Sequence, residues 1–187
     1  MKILLEDVYK KTVSFLNKEN YEYIVIGGVA AGLLGEPRMT GDVDIDILLK
    51  KEEVPLFLNK AKRAGFKCNA ATCRRKASAT GTFQIQHGAF HIDFIIASIA
   101  LEKEAFRRKQ AVRLYNIKAF FPTPEDLILL KIIPGRPQDL LDAERIVARQ
   151  RKHLDVRYLE RWAQALSDEA EDARIVNRLQ GLLAAKK

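Results

Sequence analysis

Two cysteines, one tryptophan and no long apolar run mark this sequence first by what it lacks. Cys68 and Cys73 are too few for a disulfide framework and lack metal-site spacing, so neither a small secreted scaffold nor a zinc module fits, and a reducing compartment is expected. His87 and His91 invite reading as a zinc pair, but no third ligand stands at suitable spacing. No segment has enough consecutive apolar residues to cross a bilayer, and Glu6 and Asp7 interrupt the apolar start MKILLEDV before it could form a signal-peptide core. A soluble, cytoplasmic protein with no membrane partner is expected. Internal repeats, low-complexity tracts and RNA-stacking aromatic motifs are also missing.

What is present is an excess of positive charge. Thirty-two Lys and Arg stand against 24 Asp and Glu, a formal +8 over 187 residues. An acidic partner or substrate suits that balance, although charge alone does not identify nucleic acid. The length allows one large domain, or a medium one with a helical appendage.

The pattern along the chain alternates helix and strand. Residues 2–16 carry helical apolar spacing, and YEYIVIGG reads as a strand ending at Gly27 and Gly28. VAAGLLGE reads as a short helix stopped around Gly35 and Pro37, and KEEVPLFLNKAKRAGF as a helix ending at Gly65. CRRK at 73–76 suggests a loop or a basic edge. TFQIQ at 82–86 and FHIDFIIA at 90–97 form an expected hairpin with its turn at Gly88, and AVRLYNIKAFFPT a second one turning near Tyr115 and Asn116. From Thr123, a cap residue followed by Pro124, Glu125 and Asp126, the pattern becomes helical, with two or three more helices over 137–185. Tyr158 and Trp162, four apart, read as helix core.

TGDVDIDILL, residues 40–49, carries the chemistry. Strand side chains alternate, so Asp42, Asp44 and Asp46 share one face while Val43, Ile45 and Ile47 share the other. Like charges that close need a cation between them or protonation, unless the strand is simply a solvated edge. Hard divalent ions take carboxylate oxygens together with substrate phosphates. Gly27-Gly28, between strand and helix, allows a phosphate to approach the backbone. Asp93 is a single acid in an aliphatic strand, which reads as a strand-end residue, as the partner of an arginine, or as a third carboxylate beside Asp42 and Asp44 around a metal.

Gly27-Gly28, a helix, Asp42-Val43-Asp44 and a later Asp93 together resemble the polymerase-β-like nucleotidyltransferase superfamily, whose signature is Gly-Gly or Gly-Ser, a short spacer, then Asp-x-Asp. IGGVAA, the segment Arg38-Met39-Thr40-Gly41-Asp42-Val43-Asp44 and TPEDLILLKIIPGRPQD look like the minimal nucleotidyltransferases that include AbiEii-type toxins. The resemblance spans roughly residues 20–145. It implies an α+β fold, an α/β-type nucleotidyltransferase core over residues 1–121 with a mixed sheet flanked by helices. A helical C-terminal region, 122–187, would pack on that core.

The resemblance implies an enzyme that moves a nucleoside monophosphate from an NTP to a hydroxyl and releases pyrophosphate. Asp42, Asp44 and Asp93 would hold Mg²⁺ or Mn²⁺, with Asp93 also the general base. Gly27 and Gly28 would hold the triphosphate. Lys131 would lie near it, with Asp139 in a supporting or base role, while Arg38 and Thr40, flanking the acidic strand, would contact phosphate or orient the loop. Gly28 departs from the serine many superfamily members carry, and Asp44 with Asp46 remains an alternative pair to Asp42 with Asp44. From the residues alone, Lys131 also reads as a lysine snorkelling from a buried face, and Asp139 and Asp142 as surface partners of Arg136 and Arg145. RNA such as tRNA is the favoured acceptor, given the clusters RRK and FRRKQ, with a protein or small molecule also open. The alternative is a toxin-antitoxin component that works by binding a cognate partner protein.

Overall fold

The computed structural model describes residues 3–185, so expectations at residues 1–2 and 186–187 lie outside the described residues. The chain divides into two compact units, one reaching Val29 and resuming from Met39 to Phe121, the other comprising Ala30–Arg38 and the chain from Pro122. The fold is α+β with a mixed sheet, as the family resemblance implies. Among the described residues no helix is long and apolar enough to cross a membrane.

The first unit is built on four strands. β1 is Tyr23–Ile26, β2 Asp42–Ile47, β3 Thr82–His87 and β4 Phe90–Ile96, in the order β1-β2-β4-β3. β2 and β4 run parallel and the other pairs antiparallel. The period-2 pattern divides the faces as the sequence suggests. Val43, Ile45, Ile47, Ile92, Phe94, Ile96, Phe83 and Ile85 are buried, as are Phe15 and Leu16 of α1 (Leu5–Lys18) and Phe57 and Leu58 of α3 (Val54–Arg63). Phe57 sits edge-on to both Phe83 and Phe94, ring centroids 5.2 and 5.0 Å away, and those two rings stack. Each such ring contributes roughly 2–3 kcal/mol through burial. This apolar layer holds one side of the sheet rigid, leaving the other side free to carry polar groups.

α2, Gly27–Leu34, follows β1 directly. α4, Ala70–Thr80, occupies the stretch read as a loop or basic edge. Asn69 caps it by accepting from the Thr72 N–H, and Gly81 closes it in the left-handed conformation at φ 70°. Only Cys73 and Ala77 form its buried stripe, which is why the basic residues dominate its sequence signal. α5, Ala100–Arg108, is a helix the sequence pattern did not announce. The hairpin of β5 (Gln110–Leu114) and β6 (Ile117–Phe121) turns through Tyr115 and Asn116, both at positive φ, as expected.

The second unit contains α6 (Pro124–Ile132), α7 (Pro137–Gln150), α8 (Val156–Ala170) and α9 (Arg174–Ala184). Thr123 caps α6, its Oγ1 accepting from the Asp126 N–H and donating to Asp126 Oδ2 at 2.6 Å. Tyr158 of α8 donates to the other oxygen of that buried carboxylate at 2.5 Å. The end of α2 belongs to this unit. Arg149 donates to the Gly35 carbonyl and Gln150 to that of Leu34, giving partners to groups a helix end leaves without them.

Candidate active site

β2 and β4 pair in parallel register, so Asp44 lies directly opposite Asp93 and Asp42 opposite His91. Side-chain alternation puts Asp42, Asp44 and Asp93 on the face away from the aromatic core. One oxygen from each of these half-buried carboxylates falls within 4.8 Å of the others. Three hard oxygen donors gathered this closely suit a divalent cation of the magnesium type.

Neighbouring groups fix the acids in place. Thr40 Oγ1 donates to Asp42 Oδ1 at 3.1 Å. Gln84, opposite Asp93 on β3, donates from Nε2 to Asp93 Oδ1 at 2.7 Å. Asp93 thus has an amide partner rather than the arginine the sequence allowed. Gln84 escaped the sequence reading, although its polar place in the alternating TFQIQ was the available signal.

Gly27 opens α2 directly after β1 at φ 63°, and a Cβ there would overlap the Asp44 carboxylate. Only glycine lets the backbone pack this close against the Asp44 carboxylate. Gly28 follows it in the first turn of α2, where helix N–H groups have no intrahelical acceptor.

Asp46 is on the same strand face but apart from this group in character. It is 1% exposed, and neither oxygen has a hydrogen-bond partner among the described residues. Burial, reinforced by the charges of Glu102 and Asp44, pushes its carboxyl well above the usual range. The acids that converge are therefore Asp42, Asp44 and Asp93, with Asp46 buried further along β2.

Arg38, Lys131 and Asp139 meet in the second unit. Lys131 is buried and donates to Asp139 Oδ1 at 2.9 Å and Asp142 Oδ2 at 3.0 Å. Arg38 grips Asp142 with two bonds, 2.7 Å from Nε and 2.9 Å from Nη2. Arg136 Nε donates to Asp139 Oδ2 at 2.5 Å, and Gln138 donates to Asp142. Burial alone would raise both carboxyls, yet these donors hold Asp139 and Asp142 below the usual carboxylate range. Lys131 does not snorkel outward, and Asp142 takes Arg38 as its partner while Arg145 pairs with Glu36.

Residues 4–183 match the family described as nucleotidyltransferase of unknown function (DUF6036). The chain belongs to this family. No curated protein matches it by sequence. Solved structures share its fold. One is an antigenic nucleotidyltransferase-like protein from Paracoccidioides brasiliensis, with 16% identity and TM-score 0.55 over 94% of this chain and 92% of that one. Another is the lincosamide antibiotic adenylyltransferase LnuA bound to lincomycin, with 13% identity and TM-score 0.53 over 77% and 96%. A third is the antibiotic-resistance factor ANT(2'')-Ia, with 12% identity and TM-score 0.57 over 89% and 97%. At these identities the likeness is one of fold, and the acid cluster beside Gly27 is the feature of this chain suited to nucleotidyl transfer.

Proposed function

We propose that the protein transfers a nucleoside monophosphate from an NTP to a hydroxyl acceptor, with pyrophosphate as the second product. The observation that carries this reading is the register of Asp44 against Asp93, which gathers three carboxylates beside a glycine turn. Asp42, Asp44 and Asp93 would hold Mg²⁺, or Mn²⁺ in its place. The metal would offset phosphate charge and acidify the attacking hydroxyl.

The acceptor oxygen attacks the α-phosphorus, the bond from that phosphorus to the bridging oxygen breaks, and pyrophosphate leaves with the bond's electrons. Asp93 receives the hydroxyl proton, with Gln84 holding its carboxylate in place. Gly27 and Gly28 admit the triphosphate to the backbone, and Thr40 orients Asp42. Within their own unit Arg38, Lys131, Asp139 and Asp142 act in this reading as one hydrogen-bonded group, with Asp139 supporting the lysine.

RNA, such as a tRNA 3′ end, is the favoured acceptor because the formal +8 charge suits a polyanion. The AbiEii-type branch of minimal nucleotidyltransferases is the subgroup this reading selects, supported by the segment Arg38 to Asp44. The antibiotic adenylyltransferases of like fold keep small molecules among the acceptors to test.

The experiment is transfer of label from each α-³²P NTP to total RNA, protein or small molecules with Mg²⁺ present. Labelling that falls on the order of 10³-fold in Asp42→Ala and Asp44→Ala supports the assignment. Labelling that persists in both variants ends it. Co-purification with a protein partner, and no labelling with any NTP or metal, favours a toxin-antitoxin component that acts by binding.

A further inference from the structure

The polar face of the sheet does not stop at the acids. His91 on β4 and Gln84 and Gln86 on β3 continue it, in register with Asp42, Asp93 and His91 respectively. Strands are about 4.8 Å apart, so this wall begins one strand spacing from Asp93. α4 closes over it to leave a cavity of about 430 Å³, lined by Lys67, Thr72, Lys76, Gln84, Gln86 and His91 among others. Gln84 belongs to both places, since it lines the cavity and holds Asp93.

The charge of this cavity has one sign. No described acidic side chain lines it, and neither Lys67 nor Lys76 makes an ion pair among the described residues. At the α4 end, away from the acids, Lys67 and Lys76 attract a phosphate and disfavour a cationic group such as an aminoglycoside amine. The cavity's amides, hydroxyl and imidazole can bind sugar hydroxyls.

Resting on the transfer reading above, we propose that this cavity receives the acceptor, and that Lys67 and Lys76 select one carrying a phosphate ester close to its nucleophilic hydroxyl. The hydroxyl lies toward Asp93, which takes its proton as the oxygen bonds the α-phosphorus and pyrophosphate departs. The phosphate lies toward α4. An RNA 3′ end and a small sugar phosphate share this chemistry.

The test uses the full-length protein with Mg²⁺, α-³²P NTPs and four acceptors: a short RNA with a free 3′ hydroxyl, the same RNA ending in a 3′-deoxynucleotide, ribose 5-phosphate, and kanamycin. Label should enter the RNA, with the 3′-deoxy form inert, or ribose 5-phosphate, but not kanamycin. Each lysine should be worth roughly tenfold. The double variant Lys67→Ala/Lys76→Ala should thus raise the acceptor KM about a hundredfold while leaving kcat and the NTP KM unchanged. Arg157→Ala/Arg161→Ala, which removes the same charge from exposed positions on α8 outside the cavity lining, should leave the acceptor KM unchanged.

An unchanged acceptor KM in the lysine variant, or a preference for kanamycin, overturns the cavity assignment while the transfer reading stands. A second readout, without NTP, measures anisotropy of the same RNA carrying fluorescein, and its displacement by ribose 5-phosphate. Binding lost in the lysine variant and kept in Asp42→Ala supports the cavity even if no NTP yields label, in which case only the transfer reading fails. Absence of binding by both the RNA and ribose 5-phosphate overturns the proposal.

Discussion

Gly27 is where one atom decides most. A methyl group there would overlap the Asp44 carboxylate, and φ 63° disfavours any L side chain. Gly27→Ala should therefore destabilise the fold by roughly 1–2 kcal/mol, measured by denaturant titration. Displacing Asp44 by about 1 Å should lower label transfer on the order of a hundredfold. A variant that loses stability but keeps full transfer would show that Asp44 need not stay where it is. Asp46 supplies the opposite contrast. It is buried and unpartnered among the described residues, while Asp42 belongs to the convergent group. Asp46→Asn should keep transfer near the wild-type rate, and Asp42→Asn should lose it on the order of 10³-fold. The reverse result would restore the Asp44-Asp46 pair that the sequence left open.

Elements were legible in proportion to the contrast between their faces. β2, β3 and β4 alternate cleanly because one face meets the aromatic core and the other bears polar groups. Alternation shows which face each acid takes, whereas the placing of Asp93 beside Asp42 and Asp44 rested on the family resemblance. α4 was misread because its buried side is only a cysteine and an alanine, so Arg74, Arg75 and Lys76 outweigh it. The partnership of Gln84 with Asp93 depends on strand order, which periodicity does not encode. α6 was legible through its cap. Thr123 both accepts from the Asp126 N–H and donates to the Asp126 carboxylate, in a buried setting. Thr123→Ala should accordingly lower unfolding free energy by about 1–2 kcal/mol, and Thr123→Ser should restore most of it. An equal loss in both variants would trace the effect to the threonine methyl rather than the hydroxyl.

Across the whole molecule, the least legible feature is a connection far apart in sequence. Nothing in the pattern of residues 30–38 announces that they join the C-terminal helices, because the link is made by pairs such as Arg38 with Asp142, 104 positions apart. This charged group makes stability depend on pH. Donors from Arg136, Lys131, Arg38 and Gln138 outweigh burial and hold Asp139 and Asp142 below the usual value of 3.8. A carboxyl with a lowered folded-state pKa is charged in the native chain where the unfolded chain begins to take up protons. Its stabilisation is thus complete above the usual value and disappears as the pH falls through the lower, folded-state one. Unfolding free energy from this group should therefore be level near neutrality and decline below about pH 4. Asp142→Asn should lose about 3 kcal/mol at pH 7, because Lys131 and Arg38 keep their charge without their shared acid. The same variant should show a shallower decline in acid, having one fewer carboxylate to protonate. Chemical denaturation of both proteins between pH 3 and pH 7 measures the two slopes, and parallel curves would remove Asp142 as a source of the acid sensitivity.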